Sequence, residues 1–340
     1  MTKFSELVKY RNTFAKKVES INFQKAIDDI CYQLKLSITE NYDQNNELVT
    51  KAIDQAIIDY QSMVTMSDTI LKNLQEIIAD FDLKIEKHSS FIDEQGAYIL
   101  VEIESETGKT EQSKTTFLID DDIHQAAINQ ILKYADWHYP ALRLGCRYAG
   151  QNQIEFQDGM LVPNYTKSID YSDVLVVNDP LYFCDHQLEF INNVTGHFND
   201  VYSKRIRKYV IKDHNLTQLP QGQFGFVFCW MMLNYVNSAT LESYLRSIFD
   251  LLRPGGVLVF SYNNTELAES AQISENGKMH SILKRNLITL AERIGYTVMS
   301  TVDMPNSDPI IRNISWIEIQ KPGLLNSIKL AQAIGTIKLI

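Results

Sequence analysis

The sequence predicts an α/β protein with a mostly parallel sheet, preceded by a helical module. Three observations predict this class. Residues 1–90 follow a helical pattern with few breaking residues. From Tyr139 onward, short apolar runs alternate with helical stretches, which is the pattern of βαβ units. The chain of 340 residues is also long enough for two domains, each with a core of its own.

Composition excludes several classes of protein. The apolar (45%) and charged (22%) fractions are ordinary for a globular protein. No apolar run approaches the ~18 residues of a membrane helix, and the N-terminus lacks an apolar signal core. The net charge of −10 argues against a broad nucleic-acid surface, although basic residues cluster at 204–208. We therefore expect no membrane partner, no nucleic acid and a cytoplasmic location.

No residue pattern predicts a metal site. The four cysteines are widely scattered, at positions 31, 146, 184 and 229, and form no CxxC pair. We expect buried, reduced thiols in a reducing compartment. Three consecutive acids, Asp120 to Asp122, are expected to begin a short helix that runs to about Ala135, because acidic side chains favour a helix N-terminus.

A long helix is predicted in the N-terminal module, residues 1–90. Positions spaced alternately by four and three residues are apolar or aromatic with one exception: Ile53, Ile57, Tyr60, Val64, Ser67, Leu71, Leu74, Ile78, Phe81 and Ile85. This heptad seam at 53–85 predicts a coiled coil. Its partner is either the first helix, as an antiparallel hairpin, or a second copy of the chain in an oligomer.

Residues 91–138 are predicted to form a β-hairpin and a short helical connector. The hairpin strands are Ala97–Glu104 and Thr115–Asp120, which are rich in β-formers and enclose a glycine-containing turn.

Residues 139–323 carry the predicted sheet, and no role is assigned to the apolar tail 324–340. The expected strands are Ala141–Leu144, Val174–Val177, Lys208–Ile211, Phe224–Cys229, Val257–Tyr262, Thr297–Thr301 and Ile314–Ile319, the last two as an antiparallel edge pair. The expected helices are Gln187–Tyr202, Ala239–Leu252 and Ser281–Ile294. An insertion at 151–170 is expected to form a hairpin through Ile154–Phe156 and Met160–Val162.

Two motifs in this region resemble a known family. Leu252-Arg-Pro-Gly-Gly-Val-Leu-Val-Phe and Leu219-Pro-Gln-Gly-Gln-Phe-Gly-Phe-Val-Phe are similar to the turns into the fifth and fourth strands of class I S-adenosylmethionine-dependent methyltransferases. The resemblance implies a doubly wound, mostly parallel methyltransferase-like sheet. It also implies S-adenosylmethionine as the cofactor, lying across the carboxyl ends of the first strands.

The resemblance also implies four cofactor-binding residues. Gly145 and Gly150 match a glycine-rich loop after the first strand, which lets the backbone approach the cofactor. Asp179 matches the acid that ends the second strand and binds the ribose hydroxyls, and Asp213 matches the acceptor for the adenine amino group. No catalytic residue is assigned.

The first strand departs from the family pattern. Arg143 stands where the family has an acid, and Arg147 replaces the middle glycine, so positive charge lies where a cationic cofactor should bind. Asn178-Asp-Pro-Leu-Tyr, Gln223-Phe-Gly-Phe-Val-Phe and Phe260-Ser-Tyr-Asn-Asn are also similar to methyltransferase-type proteins of tailed marine bacteriophages. We carry two hypotheses: a methyltransferase-like protein with a degenerate donor site and unknown acceptor, or a non-catalytic phage virion protein (tail, neck or baseplate) that retains the fold.

Overall fold

The protein is described here by a computed structural model, which covers residues 3–19, 32, 46–106, 119–146, 152–157, 160–169, 171–196, 198–212, 214–276, 279–308 and 311–323. The chain divides into two compact units, Met1–His88 and Ser89–Ile340. None of the helices in the described ranges is both long enough and apolar enough to cross a bilayer.

The N-terminal unit contains helix α1 (Phe4–Glu19) and most of helix α2 (Asn46–Glu106). Contacts between them run in opposite directions along the two helices. The Phe4 ring meets His88, the Arg11 guanidinium binds the Asp82 carboxylate at 3.0 Å, and the Phe14 ring meets Phe81. These contacts place α1 antiparallel to the part of α2 near residues 81–88. Self-association through the rest of the predicted seam stays a prediction.

The predicted strand Ala97–Glu104 is wrong, because α2 continues through it to Glu106. Half of this segment consists of good helix formers, one alanine, one leucine and two glutamates, so a preceding helix can propagate through it despite its β-formers. Gly96 lies inside the helix, where it is destabilising by about 1 kcal/mol relative to alanine. Most of the second predicted strand, Thr115–Asp120, lies outside the described residues.

A short helix follows as predicted, α3 (Asp121–Tyr134). Asp120 occupies the residue before it, but its side chain does not cap the helix. Instead, one oxygen of the Asp120 carboxylate accepts a hydrogen bond from the Ser307 N–H at 2.8 Å. The acids therefore begin the helix as expected, while Asp120 ties it to a distant loop.

The C-terminal unit is built on a seven-stranded sheet with the order β5-β4-β1-β6-β7-β9-β8. Its strands are β1 (Ala141–Leu144), β4 (Leu181–Asp185), β5 (Ile206–Val210), β6 (Phe224–Cys229), β7 (Leu252–Tyr262), β8 (Thr297–Pro305) and β9 (Asn313–Gln320). Neighbouring strands from β5 to β7 are parallel, and β9 is antiparallel to both β7 and β8. The predicted mostly parallel α/β sheet is confirmed.

One predicted strand is wrong and one real strand was missed. Val174–Val177 was expected to be a strand, but helix α4 (Tyr171–Leu175) occupies this region and ends in a turn. The strand beside β1 is β4, which follows Pro180. The predicted insertion hairpin is confirmed by β2 (Asn152–Gln157) and β3 (Met160–Ile169), which pair antiparallel.

Helices connect the strands of the sheet. They are α5 (Leu188–Thr195), α6 (Asp200–Ser203), α7 (Ser238–Leu251), α8 (Ala268–Glu275) and α9 (Lys284–Ile294). The single helix predicted over Gln187–Tyr202 is thus two short ones, and α8 was not predicted. Asn199 and Asn237 cap α6 and α7 by accepting backbone N–H groups, which explains where these helices begin.

Apolar side chains cover both faces of the sheet. In β6, Phe226 and Phe228 enter the core on one face, and Val227 and Cys229 enter the core on the other. Burial on both faces is typical of parallel sheets covered by helices. Because both faces of the sheet are covered, polar side chains can contact a ligand only at the ends of the strands.

Candidate functional site

The carboxyl ends of the parallel strands lie at one edge of the sheet. Starting from β1, the chain forms β4 and β5 on one side, then β6 and β7 on the other. The strand order therefore reverses between β1 and β6. In doubly wound sheets, ligands bind in the crevice outside the strand ends at such a reversal.

Gly145 forms the turn that leaves β1 at this edge. Its φ is +83°, a left-handed conformation that favours glycine. A Cβ added to Gly145 would lie 2.6 Å from the Met232 Cβ, so the position also requires the absence of a side chain. Gly145 therefore lies at the carboxyl edge as predicted. Gly150 and Arg147 lie outside the described residues.

Asp185 ends β4 at the same edge and is buried. One carboxylate oxygen accepts the Cys146 N–H at 2.6 Å, and the other accepts the Gln187 N–H at 3.0 Å. The carboxylate thereby joins the turn after β1 to the turn after β4. Each oxygen has a second lone pair, so the carboxylate retains the capacity to accept further hydrogen bonds.

The structure places Asp179 at the opposite edge of the sheet. It precedes β4, its side chain is 52% exposed, and the Arg205 Nε lies 3.2 Å from its Oδ1. The ribose role was assigned to Asp179 on the premise of a strand at Val174–Val177, and that premise is wrong. Asp185 is the acid that ends the second strand. The run of apolar and aromatic residues Leu181–Cys184, which ends in an acid just before a helix, was the signal for it.

Asp213 lies outside the described residues. Its neighbours Lys212 and His214 follow β5 at the carboxyl edge. The role predicted for Asp213 stays a prediction.

Arg143 is a buried cation on the third residue of β1, 1% exposed. Its guanidinium donates a hydrogen bond to the Ser172 Oγ of α4. Arg143 pairs with Phe183 across the strands, so Asp185, two residues further along β4, lies on the same face of the sheet. Burial lowers the pKa of the Arg143 guanidinium, and the acidic groups around it, Asp173 and Asp185 included, raise it. An arginine keeps its charge in such a setting.

The loop after β6 is held in a strained conformation. Met231 has a φ of +57°, which costs a non-glycine residue on the order of 1–3 kcal/mol. Its N–H donates to the Ser261 Oγ at 2.6 Å, and that hydroxyl donates to the Asn234 Oδ1 at 2.8 Å. This buried pair fixes the loop, and the next residue, Met232, packs against Gly145.

Two histidines share one phenol beside the ends of β4 and β5. The hydroxyl of Tyr244, on α7, lies 2.9 Å from the His186 Nε2 and 3.0 Å from the His214 Nδ1. Because a hydroxyl has one proton, it donates to at most one imidazole. The arrangement ties helix α7 to this side of the candidate site.

Thiol and metal chemistry find no support in the described parts of the chain. Cys146, Cys184 and Cys229 are free and buried, as predicted, and burial raises the pKa of the Cys146 thiol to about 12. A thiol with so high a pKa is not a nucleophile at neutral pH. Among the residues that the structure describes, no group of three or more His, Cys, Asp or Glu side chains could hold a metal ion.

Comparison with known families bears directly on this unit. A family model described as "Methyltransferase domain" matches residues 164–301. The matched residues include strands β4 to β7, with Asp185 at the carboxyl end of β4. These strands belong to a sheet of doubly wound strand order. The C-terminal unit therefore contains a methyltransferase-like region, residues 164–301. The match begins after β1, so it leaves out Arg143 and Gly145, where the motif departs from the family pattern.

Solved structures similar to the chain include methyltransferases. A S-adenosylmethionine-dependent methyltransferase from Mesorhizobium loti is 13% identical, with a TM-score of 0.41 over 57% of this chain and 96% of that one. The N-methyltransferase NodS from Bradyrhizobium japonicum, in complex with S-adenosyl-L-homocysteine, is 13% identical, with a TM-score of 0.43 over 65% of this chain and 97% of that one. The comparison with curated proteins gives no match.

The methyltransferase-like domain implies S-adenosylmethionine, whose sulfur is positively charged. The part of the site that would hold the nucleoside fits this group, because the Asp185 carboxylate and the Gly145 turn meet at the carboxyl edge, where the strand order reverses. At the end near β1, the buried Arg143 stands where the resemblance implies an acid, and the carboxylates of Asp173 and Asp185 lie around its guanidinium.

Proposed function

We propose that the C-terminal domain binds S-adenosylmethionine or its demethylated product, and that it is a methyltransferase-like protein with an altered donor site. The observation that carries this proposal is the position of Asp185, buried at the end of β4 and hydrogen-bonded to the turn after β1. When bound, S-adenosylmethionine supplies an electrophilic methyl group. No described residue identifies the acceptor.

The residues of the chain would hold the nucleoside at three strand ends. Asp185 accepts hydrogen bonds from hydroxyls such as those of a ribose, and its two backbone donors fix its orientation. Gly145 lets the backbone approach the ligand. Asp213 would accept the adenine amino group beyond the end of β5. Such a site binds and orients a ligand, which is a large part of catalysis in a methyl transfer.

Calorimetry on the full chain tests the proposal. We expect S-adenosylhomocysteine to bind the wild type at micromolar affinity. Asp185→Asn should weaken binding at least tenfold, because the amide accepts through only one oxygen. Asp179→Asn tests the earlier assignment, and we expect it to bind like the wild type because it alters the opposite edge.

Two outcomes contradict the proposal. One is a folded wild type that binds neither S-adenosylmethionine nor S-adenosylhomocysteine at millimolar concentration. The other is loss of binding in Asp179→Asn with full binding in Asp185→Asn.

A second candidate is a non-catalytic virion protein of the tail, neck or baseplate that retains the fold. Arg143 favours it, because this residue stands where the resemblance implies an acid. Location in a virion, rather than the cytoplasm, is part of this candidate. A folded wild type that binds no adenosyl ligand would support it over the first proposal.

Self-association or partner helices at the seam 53–85 are proposed under either function. Within the N-terminal unit α1 lies along the part of α2 near residues 81–88. The seam residue Tyr60 is exposed on α2, outside the part that α1 contacts. Sedimentation velocity over a range of concentrations would detect an oligomer.

A further inference from the structure

A single buried phenol links the two turns that follow β4 and β5. The hydroxyl of Tyr244, which lies on α7 and is fully buried, is 2.9 Å from the His186 Nε2 and 3.0 Å from the His214 Nδ1. In the chain, His186 directly follows Asp185, and His214 directly follows Asp213. One side chain therefore contacts the next residue after each of the two acids that the proposed function assigns to the nucleoside.

We propose that Tyr244 is a positioning residue, which holds both turns in the arrangement that binds the nucleoside of an adenosyl ligand. The inference rests on the proposed function, because it concerns the residues that would hold the same ligand. Tyr244 acts through His186 and His214 and needs no contact of its own with the ligand. A site whose turns are held in advance binds more tightly, because the ligand does not have to order them.

The turn after β4 is closed by the side chain of Asp185 itself. Its carboxylate accepts the Gln187 N–H at 3.0 Å, so His186 lies inside this turn. The Asp185 carbonyl accepts the Ile211 N–H at 2.9 Å, which joins the turn to the end of β5. Holding the His186 ring therefore restrains the backbone that carries the Asp185 carboxylate.

The turn after β5 has a backbone conformation that needs support. His214 has a φ of +52°, which is uncommon for a residue other than glycine. The Asn215 N–H donates to the Lys212 carbonyl at 2.9 Å, which closes a turn that includes His214. The His214 imidazole also meets the Tyr244 ring edge to face, with the ring centroids 5.6 Å apart. Tyr244 thus contacts His214 through both its hydroxyl and its ring.

Helix α7 gives the phenol a fixed position. The Asn237 side chain caps the N-terminus of the helix by accepting a backbone N–H at 2.8 Å. Near the other end, the Lys321 ammonium donates to the Phe249 carbonyl at 2.7 Å. Between these ends, the Tyr296 hydroxyl donates to the Leu245 carbonyl at 2.8 Å. The phenol is therefore carried by an anchored helix, which suits a residue that supports a binding site.

Calorimetry on the full-length protein tests the inference through two matched variants. Tyr244→Phe removes both hydroxyl contacts and keeps the buried ring. We expect it to bind S-adenosylhomocysteine about tenfold more weakly than the wild type, because each hydrogen bond is worth about two- to tenfold in an equilibrium constant. Tyr296→Phe also removes a buried hydroxyl that is bonded to α7, but Tyr296 precedes β8 at the opposite edge of the sheet. The control should bind within about threefold of the wild type, because distant sites act independently.

Two variants of His214 test whether the contact itself can be rescued. Asparagine and glycine both tolerate the left-handed conformation, but only asparagine keeps a polar atom near the place of the Nδ1. His214→Asn should therefore bind within about threefold of the wild type, whereas His214→Gly should bind about tenfold more weakly. A residue that merely fills space would not be rescued by asparagine.

The outcomes separate this inference from the proposed function. Unchanged affinity in a folded Tyr244→Phe protein, or equal losses in Tyr244→Phe and Tyr296→Phe, would overturn the inference and leave the proposed function intact. If Tyr244→Phe does not fold, the His214 variants decide, and equal affinities in His214→Asn and His214→Gly would refute the inference. A wild type that binds neither S-adenosylhomocysteine nor S-adenosylmethionine would defeat the proposed function and this inference with it.

Discussion

Replacing Gly145 by alanine tests how tightly the turn after β1 is packed. The left-handed conformation at φ +83° costs an alanine about 1–2 kcal/mol. The new Cβ would lie 2.6 Å from the Met232 Cβ, and overpacking of this kind costs about 1–3 kcal/mol. Together these effects predict a loss of about 2–5 kcal/mol in the free energy of unfolding of the C-terminal domain.

Two other glycines separate the two contributions. Gly222 has a φ of +65° and nothing within 4 Å of an added Cβ, so Gly222→Ala should lose only about 1–2 kcal/mol. Gly225 does not have a left-handed φ, but its Cβ would lie 2.7 Å from the Tyr139 Cβ. Gly225→Ala should therefore lose about 1–3 kcal/mol through overpacking alone.

Denaturant unfolding followed by tryptophan fluorescence measures these losses. All three tryptophans, at 137, 230 and 316, belong to the C-terminal unit, so the signal reports that unit. In the double variant Gly145→Ala/Met232→Gly the Met232 Cβ and its clash are removed, although a large side chain is lost, so the two changes should not be additive. If Gly145→Ala loses no more than Gly222→Ala, or the double variant is additive, Met232 does not fill the space over the turn.

Three further predictions concern other parts of the molecule. Burial raises the pKa of Glu318, but hydrogen bonds from Lys133 and two neighbouring hydroxyls outweigh it and lower the pKa. Its stabilisation is therefore complete above the ordinary glutamate pKa of about 4.3 and is lost as the pH falls through the lowered value. Glu318→Gln should flatten the acid limb of a plot of unfolding free energy against pH, and an unchanged limb would contradict this assignment. Ser261→Ala removes the acceptor of the Met231 N–H and should destabilise the domain by about 1–3 kcal/mol in denaturant unfolding. A loss below about 0.5 kcal/mol, which is usual for a surface substitution, would show that the Ser261 hydroxyl does not hold the loop after β6. Leu74→Asp should reduce helix content by circular dichroism and alter the sedimentation profile, and a protein unchanged in both would count against the heptad assignment.

The strands that the sequence predicts well are those with turn residues on both sides. Ala141–Leu144 and Phe224–Cys229 match the structure at both ends. The error at Val174–Val177 has a physical cause. Two short apolar runs flank Asn-Asp-Pro, and a run of four or five apolar residues does not distinguish a strand from a short buried helix. The same ambiguity, in a longer segment, explains the wrong strand at Ala97–Glu104.

The site was predictable where it depends on local conformation and not where it depends on contacts between distant residues. Gly145 was found because a left-handed turn favours glycine. Asp185 was missed because the second strand was placed too early in the chain. The charge of Arg143 was visible in the sequence. Its burial and its bond to Ser172, across the insertion, depend on how the chain folds back.

The last strand of the sheet has a consequence for the order of synthesis. β9 lies between β7 and β8 and pairs with both, and its Trp316, Ile317 and Ile319 are buried. Until Asn313–Gln320 has left the ribosome, β7 and β8 lack the strand that lies between them, and apolar side chains stay exposed. A nascent chain in this state is prone to aggregation and to binding by chaperones. We expect ribosome-stalled chains that stop before Asn313 to be protease-sensitive in this region, and chains that include it to become resistant.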